Sequence, residues 1–154
     1  DLEVPDFATL PLAMSGLVLT SVDTGGVPTG RADQVDTRLP IVPSTTRAFR
    51  PVDELLIFAE IYDQENVTPH SVDLSATVLS DDRSTTVFRH QEQRSSAELA
   101  ANAGRFSFGA RVPLRDLTPG VYVLRFEAAS RLNADARVAR EVQFRVVPES
   151  PGSR

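Results

Sequence analysis

The chain has no cysteine. That absence excludes disulfide bonds, thiolate metal sites and cysteine nucleophiles together. Lysine is absent too, so all 16 basic residues are arginine; we read this as the codon bias of a GC-rich genome rather than a functional choice. There is no tryptophan, and aromatic residues make up only 6% of the chain. Sugar-binding faces need aromatic platforms, so a carbohydrate site is disfavoured. No apolar run approaches the roughly 20 residues of a membrane helix, which argues against membrane insertion. The N-terminus shows neither a basic leader nor an initiator methionine, so the stretch is expected to be a piece of a longer or processed chain. A net charge of −5 argues against a nucleic-acid partner.

What is present is a β pattern. The 154 residues, 41% hydrophobic and 24% charged, suit one globular domain with its own core. The organising stretch is Leu117–Ala128. Pro119 and Gly120 predict a type II turn, with Gly120 taking the positive φ. Alternation follows at once. Tyr122, Leu124, Phe126 and Ala128 share one face; Val121, Val123, Arg125 and Glu127 share the other. A tyrosine so placed is expected to cap the preceding loop as a tyrosine corner, near the start of the penultimate strand of an immunoglobulin-like sandwich.

The remaining strands are read the same way. Residues 12–21 predict a first strand in which Gly16 marks a bulge or a close backbone approach. Residues 54–63 are apolar on both faces, the mark of a central strand or of one whose outer face the 23–37 loop covers. Residues 71–80 follow, then a polar edge strand at 85–93. Phe106, Phe108, Ala110, Val112 and Leu114 define another inward face. Val138, Val142, Phe144 and Val146 define the last, with Arg140 breaking it at a rim or bulge. Residues 95–103 predict one helical turn or a loop, and the proline-bounded segment 38–43 an edge. About seven strands with regular turn signals predict an all-β, antiparallel, immunoglobulin-like sandwich. Residues 1–11 read as an extended lead-in, 12–147 as the single domain and 148–154 as a tail.

Four features carry a family resemblance: Val4-Pro5-Asp6-Phe7 followed by Leu12–Leu19, Arg47-Ala48-Phe49 before Leu55–Tyr62, the Phe106–Leu114 strand, and the Leu117–Ala128 turn and strand. On these the chain resembles the C-terminal β-sandwich region of bacterial secreted von Willebrand factor A-related proteins. The resemblance implies an exported, non-enzymatic accessory domain, secreted, periplasmic or at the cell surface, alongside other domains of its parent chain. The metal-dependent Asp-x-Ser-x-Ser motif belongs to the upstream von Willebrand-type domain and is absent here. The resemblance therefore brings no site residues with it.

Chemistry is sparse. His70 and His90 lack any His-Glu-x-x-His spacing and flank polar segments, so both are expected as solvated surface residues. No Gly-x-Ser-x-Gly elbow exists. No catalytic residue and no cofactor are therefore assigned, and the chain is not expected to be an enzyme. Asp63, Glu65, Asp81, Asp82 and Asp135 fall at loops. Calcium takes roughly six to eight oxygen ligands, which makes Asp63, Glu65, Asp81 and Asp82 weak metal candidates, although Asp is also a common turn former. Arg105, Arg111, Arg125 and Arg145 fall on outward faces. They are expected to pair across strands with acids such as Glu127 and Glu141, with an arginine stripe as the alternative. Asn66-Val67-Thr68 matches a glycosylation sequon, made uninformative by Pro69 and a bacterial origin. Residues 1–77 carry a charge of −8 and residues 78–154 a charge of +3, an asymmetry expected to average out as the halves interleave. The leading expectation is a non-enzymatic structural or protein-binding module of a larger exported bacterial protein, acting in adhesion or as a spacer. The alternative is a calcium- or glycan-binding module built on the 23–37 loop and the acidic turns.

Overall fold

The computed structural model describes residues 10–23, 47–65, 68–101 and 105–148. They form two facing sheets. One contains β1 (Leu12–Met14), β2 (Val18–Asp23), β4 (Asp53–Asp63) and β7 (Arg105–Pro113). The other runs β3 (Ala48–Phe49), β9 (Arg137–Val146), β8 (Gly120–Ser130), β5 (Ser71–Ser80), β6 (Thr86–Ser95). All pairings are antiparallel except that of β3 with β9. The chain is an all-β sandwich with immunoglobulin-like topology. β4 lies at the centre of one sheet, and β8, the penultimate strand, lies between β9 and β5 in the other.

The strand period builds the core. β4 alternates buried and half-buried along all of its 11 residues. Its Leu55, Ile57, Ala59 and Ile61 face Val72, Leu74, Ala76 and Val78 of β5 and Leu124, Phe126 and Ala128 of β8 within one buried cluster. Phe108 and Phe126 meet across the layers with ring centroids 4.3 Å apart. Tyr122 stacks on Phe144 at 5.8 Å, and Phe49 meets Phe144 edge-on at 6.2 Å. Aromatic pairs of this kind add about 0.5–1.5 kcal/mol each beyond their burial.

Several local details differ from the sequence reading. The first strand is two pieces on the same edge of β4, interrupted at residues 15–17. There Ser15 takes over the pairing: its N–H donates to the Glu60 carbonyl at 2.8 Å, and its Oγ accepts from the Glu60 N–H at 2.9 Å. Gly120 does not adopt a positive φ. The hydrogen-bonded turn lies upstream, where the Leu117 N–H donates to the Leu114 carbonyl at 2.9 Å. Gly120 already belongs to β8 and pairs with Val146, so Pro119-Gly120 enters the strand in extended form. The tyrosine corner is present, with the Tyr122 hydroxyl donating to the Thr118 carbonyl at 2.8 Å.

Residues 96–101 form a short helix, α1 (Ser96–Ala101). It begins with a capping box that the sequence states as Ser95-Ser96-Ala97-Glu98. The Ser95 Oγ accepts the Ala97 N–H at 3.3 Å, and the Glu98 carboxylate accepts the Ser95 N–H at 3.3 Å. Arg140 points inward, opposite Phe126. It sits on the part of β9 that β3 leaves uncovered, so an edge rather than a bulge accommodates it. The predicted 38–43 edge, the sequon residues Asn66 and Val67 and, apart from Asp23, the 23–37 loop lie outside the described residues.

Candidate functional site

His70 overturns its expectation. It precedes β5 on the crossover from one sheet to the other, and its side chain is only 2% exposed. Its Nδ1 lies 2.8 Å from the Thr68 carbonyl and its Nε2 2.6 Å from Asp63 Oδ2. The Asp63 side chain is equally buried. A carbonyl and a carboxylate both accept, so each ring nitrogen carries a proton and the ring is an imidazolium. Burial is the largest influence on it and opposes the charge. The Thr68 carbonyl, the Asp63 carboxylate and Glu65 together outweigh burial and raise the His70 pKa above its ordinary value. The other Asp63 oxygen accepts the Glu65 N–H at 2.9 Å. Around the pair, the His70 N–H donates to Ser96 Oγ at 2.9 Å, and the Ser96 N–H donates to the His70 carbonyl at 2.9 Å. The sequence shows the two residues seven positions apart, which signals nothing until the crossover folds back. With both nitrogens engaged, His70 has no lone pair with which to take a proton from a nucleophile. His90 is 43% exposed on β6, 3.7 Å from Glu92, with its ring 6.1 Å from that of Phe108.

The four acidic candidates are not brought together. Asp63 ends β4 and Glu65 follows it, both ahead of the start of β5, whereas Asp81 and Asp82 follow the far end of β5. Ten residues of strand separate the two pairs, on the order of 30 Å. Among the described residues, no three His, Asp or Glu side chains converge as metal ligands would. Asp82 has a local role. Its carboxylate accepts from Ser80 Oγ at 2.5 Å, from the Ser84 N–H at 3.0 Å and from Ser84 Oγ at 2.8 Å. The Ser80 bond, followed by those from Ser84, lowers its pKa to about 2. These bonds hold a turn in which Arg83 takes φ 58°. Asp135, at the β8–β9 loop, donates its N–H to Asn133 Oδ1 at 2.9 Å.

The arginines divide between the sheets and form no single stripe. Arg105 and Arg111 lie on β7, while Arg125 and Arg145 lie on β8 and β9. Of these four, cross-strand pairing is observed for Arg111 and Arg125 among the described residues. Arg111 meets Glu54 at 3.3 Å, and Arg125 meets Glu141, its direct register partner, at 3.4 Å. Arg125 also contacts Glu127 at 2.9 Å. The Glu127 hydrogen bond, with Glu141 behind it, raises the Arg125 pKa.

These contacts belong to the outer face of the five-stranded sheet, which holds the best candidate site. Ser75 and Thr77 of β5 floor a shallow, open depression of about 420 Å³. Arg89 and Gln91 of β6 wall it on one side, and Arg125 of β8 and Arg137 of β9 on the other. The register explains the shape. Thr77 lies directly between Arg89 and Arg125, so two long side chains flank a short one. Asp73 closes one end; its carboxylate accepts from Gln93 at 3.0 Å and from Arg131 at 2.9 Å, and these bonds lower its pKa. The arrangement offers guanidinium, hydroxyl and amide donors on a fixed sheet, a surface suited to anionic groups.

No family model matches the chain, and no curated protein matches it. Among solved structures, a calcium-binding mutant of Bacteroides uniformis beta-glucuronidase 2 is similar over 84% of this chain and 13% of its own length, at 14% identity and a TM-score of 0.46. The same enzyme covalently bound to cyclophellitol-6-carboxylate aziridine is similar over 60% of this chain and 11% of its own, at 15% identity and a TM-score of 0.41. The ApaA protein from Bordetella pertussis is similar over 92% of this chain and 98% of its own, at 11% identity and a TM-score of 0.35. The chain thus spans a small fraction of the glucuronidase. Likeness at these scores carries no functional argument.

Proposed function

We propose that this chain is a non-enzymatic, immunoglobulin-like interaction module of a larger exported bacterial protein, akin to the sandwich regions of von Willebrand factor A-related proteins. It works in adhesion, or as a spacer that presents a surface to a protein partner. The observation that supports this is the outer face of the five-stranded sheet. Its polar donors line an open depression rather than an enclosed pocket, the form of surface that meets another macromolecule. The engagement of both His70 nitrogens fits the same reading.

Photo-crosslinking in cells tests it. Amine-directed reagents have no lysine to attack, so a photoreactive residue is placed at Gln91 on one sheet and, separately, at Ser107 on the other. A discrete crosslinked polypeptide from the intact exported parent chain at either position is the expected result. Absence of any partner at both positions, or a parent chain retained in the cytoplasm, refutes the proposal.

A further inference from the structure

We infer that the outer face of the five-stranded sheet docks an acidic polypeptide segment, with Arg89 and Arg125 receiving its carboxylates above Thr77. This rests on the interaction-module reading and names the partner's chemistry.

Glu127 is shared by Arg125 at 2.9 Å and Arg137 at 3.6 Å. Glu141 is shared by Arg83 at 2.8 Å and Arg125 at 3.4 Å. Three guanidiniums therefore divide two carboxylates. Across Thr77 stands Arg89, which makes no ion pair among the described residues. Asp73 is neutralised by Arg131. Beyond that pair, the strands of this face carry Arg89, Arg125, Arg137 and Arg145 against Glu127 and Glu141, and the β5–β6 hairpin adds Arg83 with Asp81 and Asp82, which leaves one positive charge in excess on a chain whose net charge is −5. That sign inversion is local, and it lies over the depression.

Geometry narrows the occupant. Arg89 and Arg125 stand on strands two spacings apart, about 9.6 Å. Carboxylates along an extended peptide laid across the strands meet both of these arginines. Ser75, Thr77 and Gln91 supply neutral donors between the charges. The outward positions of β5, β6, β8 and β9 include no aromatic residue, which removes the platform on which a sugar ring stacks. The ion pairs already present hold Arg125 and Arg137 in place before any partner arrives, so less entropy is lost there on docking.

The test is calorimetric titration of the chain with a blocked peptide of alternating glutamate and aspartate, at low ionic strength. Wild type is expected to bind, and added salt to weaken that binding. Arg89→Glu is expected to raise Kd at least about tenfold. Arg105→Glu makes the same charge change on the opposite sheet and is expected to leave Kd nearly unchanged. Both side chains are exposed, so both variants keep the wild-type melting midpoint. Equal weakening by the two variants overturns the inference, as does failure of folded wild type to bind. Tighter binding of oligogalacturonate than of the peptide also overturns it and assigns the face to an acidic glycan. A partner crosslinked only through Ser107, with the peptide ignored, sinks this inference and spares the module reading. Peptide binding without any crosslinked partner does the reverse.

Discussion

Replacing His70 is the most informative perturbation of the fold. The imidazolium and the Asp63 carboxylate lie 2.6 Å apart with both side chains 2% exposed. His70→Ala leaves Asp63 buried with the Glu65 N–H as its remaining partner in this arrangement. Breaking a buried pair from one side costs about 3–5 kcal/mol, because the surviving charge has lost its compensation. For a chain of this size the melting midpoint should fall on the order of 10 °C. The pH dependence gives the sharper test. The folded pKa of His70 is raised, so its stabilisation is fully present below the unfolded value of about 6.5 and is lost as pH rises through the folded value. His70→Gln keeps a donor but cannot titrate. Urea unfolding of wild type and His70→Gln across a pH series should therefore show a stability difference that shrinks toward alkaline pH. A difference that stays flat or grows with pH refutes the imidazolium assignment. An alanine cost below about 1 kcal/mol refutes the claim that the pair is buried and coupled.

Four further measurements follow from the same structure. Tyr122→Phe deletes the hydroxyl that holds the Thr118 carbonyl and should cost about 1 kcal/mol in urea unfolding, with no change in m. Gly120→Ala should be neutral or stabilise by roughly 0.5 kcal/mol, since φ there is ordinary and a Cβ would meet only contacts at 3.9 Å; a loss above about 1 kcal/mol would restore the type II turn. Carbon-detected NMR should find Asp82 ionised down to about pH 2. Its pKa is depressed, so the turn's stabilisation is fully present above the unfolded value of about 3.9 and is lost as pH falls on through the folded value of about 2, a trend Asp82→Asn should abolish. Thermal unfolding in EDTA and in millimolar calcium should give the same midpoint, because Asp63 and Asp82 anchor opposite ends of β5; a rise of several degrees revives the acidic turns as ligands.

Much of the fold was legible because a half-buried strand writes its period into the chain. The alternation from Tyr122 to Ala128 and from Phe106 to Val112 places inward residues correctly, and Tyr122 advertises its corner. Short elements were less legible. β3 spans two residues and owes its existence to Phe49 finding Phe144, a contact no local pattern announces. Ser95-Ser96-Ala97-Glu98 did announce α1, through capping chemistry that a count of alanines overlooks. The candidate site was legible only in part. Arg125 and Glu141 could be matched by composition, but which arginines share a sheet depends on topology. His70 defies its polar surroundings in sequence because Thr68 and Asp63 close on its ring once the crossover folds back. Burial of a histidine is a tertiary fact, visible only when its two acceptors are in place.

The parallel pairing of β3 with β9 gives the sandwich a mechanical character. Once tension from the N-terminal side has passed β1 and β2, it reaches β3, while tension from the other side enters β9. Parallel strands drawn from opposite ends slide along each other instead of peeling apart. The Arg145 N–H bond to the Arg47 carbonyl at 2.7 Å and the Val147 N–H bond to the Phe49 carbonyl at 2.9 Å then bear load together rather than in turn. Phe49, only 2% exposed, must also be dragged out of the core as they slip. In a stretched chain, the two-residue strand β3 is therefore placed to resist in shear, with these two bonds loaded at once.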